Sequence, residues 1–286
     1  MTVLQIFEKK KNQLGECPVW CERTQRLYWT DIVGQTLFAH DSKTRNVLHW
    51  PLPERLGSFA LTKRDNVLLL GLASRLVLFD LIDQTILALA PSPGNPGTRI
   101  GDGRCDREGN FVFGTMHEAA QPEQLGAFYR LNAASLSVER LALADTAISN
   151  GICFSPDGAT FYYCDSMKQK ISCCDYPSLD NQRTFALVNG NGAPDGSCID
   201  AQGFLWNAEW GGSRVVRYSP HGGVDRVIPA MAQLTTCPAI GGVLYDTLYC
   251  TTASIGLGAA NEADGALLCA NLHQIKGLPE VRFAGC

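Results

Sequence analysis

Four short stretches of this chain set an oxygen-bearing side chain at the head of a strand-like run that closes on a small or sulfur-bearing residue. They are Gly15-Glu16-Cys17-Pro18-Val19-Trp20, Gly101-Asp102-Gly103-Arg104-Cys105, Ser149-Asn150-Gly151-Ile152-Cys153 and Pro194-Asp195-Gly196-Ser197-Cys198. Equivalent places in a repeat become equivalent places in space. A circular repeat would therefore gather Glu16, Asp102, Asn150 and Asp195 on one axis, and hard oxygen donors around a common centre suit a hard cation. Three carboxylates so gathered would repel one another by several kcal/mol at the effective dielectric of a partly buried site, and a cation relieves that repulsion. Taken singly, an Asp or Asn ahead of Gly is an ordinary turn former. Glu16 ahead of Cys-Pro is not, and the fourfold recurrence is what points to a metal.

Positioning such a ring needs a repeating β architecture, and the rest of the chain supplies its signature. Short runs rich in Val, Leu, Phe, Tyr and Trp alternate with Asp-Gly, Gly-Asn and Asn-Gly turns. Examples are Arg26-Leu27-Tyr28-Trp29-Thr30, Asn110-Phe111-Val112-Phe113, Thr160-Phe161-Tyr162-Tyr163-Cys164 and Gly203-Phe204-Leu205-Trp206. Anchored on Trp20, Leu61, Cys105, Cys153, Cys198 and Ile240, the copies recur at roughly 40 to 48 residues, the period of a four-stranded propeller blade. The expectation is all-β: a six-bladed β-propeller of four antiparallel strands per blade, forming one domain over residues 1–286. The leftover segments Val3–Phe7 and Glu280–Phe283 are expected to pair and close the ring, which removes exposed sheet edges. Two β-sandwich domains would need a linker. The nearest candidate, Pro91 to Gly97, falls where a loop between blades belongs.

Composition excludes several function classes. A net charge of −4 with scattered Lys and Arg offers no nucleic-acid footprint. The longest apolar run, near Val67 to Leu72, is too short to span a bilayer. In the first residues positive charge follows the short apolar stretch instead of preceding it, unlike a secretory signal. The twelve cysteines show no paired metal-ligand spacing and mostly lie inside strand-like runs, as small buried hydrophobes do. These features predict a cytoplasmic protein without nucleic-acid or membrane partners, monomeric or weakly self-associating. There is no Gly-x-Ser-x-Gly elbow for a serine hydrolase, and the five histidines are far apart. His117 alone falls near the proposed ring. Trp206 and Trp210 flank Glu209 and are expected to pack in the core or at the rim, with a sugar-facing role for one of them as the alternative.

The stretches around Glu16, Asn150 and Asp195, with Phe161-Tyr162-Tyr163-Cys164-Asp165-Ser166 and Gly203-Phe204-Leu205-Trp206, resemble the senescence marker protein (regucalcin)/gluconolactonase family over essentially the whole chain. That resemblance implies a metal-dependent sugar-lactone hydrolase. It assigns one divalent cation to Glu16, Asn150 and Asp195, with water completing the shell, and makes Asp102 a neighbour in the cavity. It also gives Arg99 a substrate-binding role. Many members carry a substrate-contacting Asn where this chain has Gly101, so the substrate does not carry over. Glu118, in His117-Glu118-Ala119, stands near the place of a substrate-contacting Glu.

The expected reaction is the opening of an aldonolactone, such as a pentono-, galactono- or gluconolactone, in sugar catabolism. A divalent ion polarises the carbonyl and lowers the pKa of water. Asp195 or a neighbouring carboxylate is the candidate general base. Calcium, zinc, manganese, magnesium and ferrous iron all suit such donors. A non-enzymatic cation-binding propeller and a broader arylesterase or phosphotriesterase-like hydrolase remain as alternatives.

Overall fold

Successive residues of a strand face opposite ways, so alternating apolar and polar residues bury one face, and β-branched and aromatic side chains fit the pleat. In the computed structural model, which describes residues 2–258 and 260–286, twenty-four strands form six four-stranded antiparallel sheets. Five are consecutive meanders; the first, for instance, runs Gly15–Cys21, Arg26–Asp31, Thr36–Asp41 and Val47–Pro51. The innermost strands of the six blades are Gly15–Cys21, Leu56–Leu61, Thr98–Cys105, Ser149–Phe154, Ala193–Ile199 and Leu234–Gly241. Each packs beside the next and the last beside the first, which closes a six-bladed β-propeller. The six anchor residues of the repeat fall one in each of these strands. Among the described residues there is no helix, and hence none long and apolar enough to cross a membrane.

The core lies in layers between neighbouring blades. One cluster joins Tyr28, Leu37 and Trp50 of the first blade to Phe59, Leu70 and Phe79 of the second; another joins Trp206 and Val215 of the fifth to Leu248 and Leu268 of the sixth. A middle strand therefore buries both faces, as Val67–Leu72 does throughout, whereas the outermost strand Val224–Pro229 is largely exposed. Near the axis the blades converge and only small residues fit. A Cβ at Gly196 would stand 2.4 Å from Cys237 Sγ, and one at Gly57 would stand 2.4 Å from the Ile100 carbonyl oxygen. Six of the cysteines, Cys17, Cys21, Cys105, Cys153, Cys198 and Cys237, lie on these innermost strands, where a small side chain suits such crowding; all twelve are free thiols, ten of them buried.

The ring closes through the chain's N-terminal strand, but with a different partner from the one expected. Gln5–Glu8 pairs antiparallel with Leu267–Asn271 and completes the sixth blade. Segment 280–283 does not pair with it. Glu280 instead forms an ion pair with Arg104 at the far end of the axial channel, and Phe283 bridges to Thr62 of the second blade. The physical reason is proximity and satisfaction: Leu267–Asn271 is the open edge beside the N-terminal strand, while a largely enclosed Arg104 needs a counter-charge and Phe283 is fully buried.

Candidate functional site

The inner strands do not run in simple register with their partners. Glu16 lies opposite Thr30, yet Val19 lies opposite Tyr28, so the inner strand carries one residue more. The same offset falls between Ile100 and Gly103, between Asn150 and Cys153, and between Pro194 and Ser197. These are β-bulges, which bend a strand and re-aim a side chain. They fall on the four residues singled out by type and spacing. Left-handed backbone follows two of them directly, with Cys17 at φ 49° after Glu16 and Gly151 at φ 69° after Asn150.

Glu16, Asp102, Asn150 and Asp195 all line one cavity of about 270 Å³ at a mouth of the channel, together with Arg99 and Gly101. Asp31 and Asp165, each at the end of a blade's second strand, hold the approach to it. Asp31 accepts from the amides of Gln13 and Leu14, just ahead of Glu16. Asp165 accepts from those of Ala147 and Ile148, just ahead of Asn150. Ser166 Oγ accepts from Asn150 Nδ2 at 2.9 Å and donates to the Pro194 carbonyl oxygen at 2.8 Å. With its NH₂ so engaged, Asn150 keeps its carbonyl oxygen for the cavity.

The carboxylates differ in how far protein donors satisfy them. Asp102 accepts from the amides of Gly103 and Ile152, both at 2.8 Å. Glu16 accepts one amide bond, from Cys17 at 3.1 Å through Oε2. Asp195 is 5% exposed, and its Oδ1 is buried without a hydrogen-bond partner. An unpartnered buried carboxylate oxygen is costly unless something cationic or protonated meets it. Burial, then the Asp102 charge, pushes the Glu16 carboxyl up to about 8. Burial, then Glu16 and Asp102, pushes Asp195 well above the carboxylate range. Burial also raises Asp102, opposed by the Ile152 amide and Arg104. Among the described residues no group of three His, Cys, Asp or Glu side chains is arranged to hold an ion. With Asp102 occupied by amides, Glu16, Asn150 and Asp195 offer the fitting donors for a hard divalent cation.

Arg99 is 7% exposed. Its Nε donates to Glu118 Oε1 at 3.0 Å and its Nη1 to the Ile100 carbonyl oxygen at 2.9 Å. Glu118 lies behind Arg99, outside the cavity wall. His117 is also off that wall, its Nδ1 accepting from the Glu123 amide. Gly101 is on it, and packing does not require glycine there: a Cβ would find its nearest neighbours at 3.7 to 3.8 Å. Its effect is to widen the cavity. Trp206 is fully buried and donates to Asp200, whereas Trp210 reaches the wall. Leu14, Ile32, Met116, Ile148 and Met167 complete an apolar flank that sequence reasoning missed, because apolar residues next to a strand look alike whether they face a core or a cavity.

Residues 14–254 match the family described as SMP-30/Gluconolactonase/LRE-like region, and the chain belongs to that family. It is 45% identical to an L-arabinolactonase of Azospirillum brasilense, over 98% of this chain and 95% of that protein. A 6-deoxy-6-sulfogluconolactonase of Pseudomonas putida is 34% identical over 99% of each. The crystal structure of a calcium-binding protein, regucalcin, from Agrobacterium tumefaciens superposes with a TM-score of 0.91 at 27% identity, covering 99% of this chain and 97% of that one.

Proposed function

We propose that this protein hydrolyses a monocyclic sugar lactone to its aldonic acid, with one divalent cation held by Glu16, Asn150 and Asp195. The observation that carries the reading is the unpartnered Asp195 Oδ1 on the wall of the same cavity as Glu16 and Asn150. Lactonase relatives covering nearly the whole chain support it. Bound at that floor, a divalent cation would polarise the lactone carbonyl and ease ionisation of water.

The chain's own residues do the rest. Water adds to the carbonyl carbon, the acyl–ring oxygen bond breaks, and the ring oxygen leaves as a hydroxyl. Asp195, at the cavity wall, accepts the proton from the attacking water and returns it to the departing oxygen. Asn150, fixed by Ser166, presents a neutral oxygen that leaves net positive charge at the floor. Arg99 Nη2 makes no hydrogen bond among the described residues and so serves a sugar hydroxyl or the emerging carboxylate.

The cavity suits one sugar ring, and its flank is largely hydrocarbon. Apart from the candidate ligands, Asp102 and Ser166 are spent on internal bonds, leaving Arg99 to meet hydroxyls. Chelator treatment followed by readdition of single metals, assayed on a panel of lactones, tests the proposal. We expect loss and recovery of lactone opening. Within the panel, a pentono-1,4-lactone should exceed its 5-C-hydroxymethyl homologue by about tenfold, because a hydroxyl buried against hydrocarbon loses its hydrogen bonds. Undiminished turnover after chelation would reject the metal, and inertness toward every lactone would favour a cation-binding platform.

A further inference from the structure

Arg99 does not hold its pose alone. Glu118 lies just past the strand Phe111–His117, and its two carboxylate oxygens accept from Arg55 Nη1 and Nη2 at 2.5 and 2.7 Å. The Oε1 that meets Arg55 also takes Arg99 Nε. One carboxylate therefore stands between two guanidiniums brought from different blades. Arg55 sits in the connection between the strands Val47–Pro51 and Leu56–Leu61, and its carbonyl oxygen accepts from the Ala73 amide. Glu118 is tied by its own amide to the Gly97 carbonyl oxygen. Arg55 is absent from the cavity wall.

The arrangement has a directional consequence. A guanidinium is a planar fork, so fixing two of its nitrogens fixes the third. Nε and Nη1 of Arg99 are held by Glu118 and by the Ile100 carbonyl oxygen, and Nη2 is the remaining donor. Burial and the nearby Arg55 charge both work against a protonated Arg99, and Glu118 opposes them. Remove Arg55 and Glu118 loses its two-point hold, becoming free to rotate about its own side-chain bonds. Arg99 would then lose the support that aims Nη2.

We propose that Arg55 is a positioning residue, acting through Glu118 on the substrate-binding Arg99 and so setting affinity for the lactone's hydroxyls and for the carboxylate product. This rests on the lactonase reading for its kinetic consequence, though not for its geometry. The test compares wild type with Arg55→Met, Arg55→Lys, Arg99→Met and the Arg55→Met/Arg99→Met double variant. Readouts are KM and kcat for lactone opening, inhibition by the aldonate product, thermal melting, and crystal structures of wild type and Arg55→Met.

In Arg55→Met, KM and the product inhibition constant should rise about three- to tenfold with a smaller change in kcat. Arg55→Lys, which keeps the charge and loses the fork, should recover only part. In the Arg99→Met background, Arg55→Met should add nothing. An unchanged KM in Arg55→Met, or an equal rise with and without Arg99, overturns the proposal. Should wild type open no lactone, the lactonase reading falls by itself. The crystal structures then decide the positioning role: a displaced Arg99 guanidinium in Arg55→Met upholds it, and an unmoved one ends it.

Discussion

An asparagine meets a cation through its carbonyl oxygen alone, and the direction its amide faces is set by a neighbour. Here that neighbour is Ser166, which engages Asn150 Nδ2 and is itself anchored to the carbonyl oxygen of Pro194 in the next blade. Ser166→Ala removes both contacts and lets the amide turn. We expect cation affinity to fall roughly 10-fold or more, the usual effect of losing a group that orients a ligand. Calorimetric titration of calcium and of manganese into chelator-treated protein measures this; wild-type affinity in the variant would refute the orienting role. Glu16, Asp102, Asn150 and Asp195 were legible as neighbours because residue type and place in the repeat singled out all four, and the structure sets them on one cavity; the choice of three among them as ligands came from the family resemblance. Ser166 was visible as part of a motif, but its second partner comes from another blade, and no local pattern displays that. Arg55 carried no signal at all, since a lone arginine in a connection looks like solvated surface.

The strands of each blade were equally legible, because alternation and turn residues are local. The device that aims the site was not. A bulge exists only as an offset between two strands, so Asn150-Gly151-Ile152 by itself reads as a turn former followed by a strand. The structure gives Gly151 φ 69°, with Cys164 Sγ only 3.0 Å from where a Cβ would stand. Gly151→Ala therefore combines left-handed strain with a tight contact and should cost about 1–2 kcal/mol. Urea denaturation of chelated protein would reveal the loss, and the cation titration should weaken in parallel as Asn150 shifts. Stability equal to wild type would mean that the bulge tolerates a side chain.

Closing the ring concentrates negative charge that no single blade contains. In the unfolded chain Glu16 titrates near 4.5, whereas in the fold it is pushed up to about 8, and Asp195 and Asp102 are raised with it. A carboxyl with a raised folded pKa binds more protons folded than unfolded between those values, so stability falls as pH rises through that window. Below about 4.5 both states are protonated and the penalty vanishes. Chelated protein should therefore melt at progressively lower temperature from pH 5 to pH 8, and saturating divalent metal should flatten the trend by binding the ionised site. The Glu16→Gln/Asp195→Asn variant should lose most of the slope without metal, keeping only the share that burial of Asp102 contributes. A slope that persists undiminished in that variant would place its origin elsewhere.

The chain's periodicity decided the architecture, since four strands every forty-odd residues can hide their apolar faces and edges in few ways other than a wheel of blades. Residue type decided that the axis would be rich in oxygen donors. Tertiary structure alone decided the rest: which terminal segment fills the open edge, which carboxylate is quenched by amides and which is left bare, and that Glu118 serves two arginines. Those outcomes depend on contacts between residues far apart in the chain, where angles and burial, not neighbouring letters, set the energy.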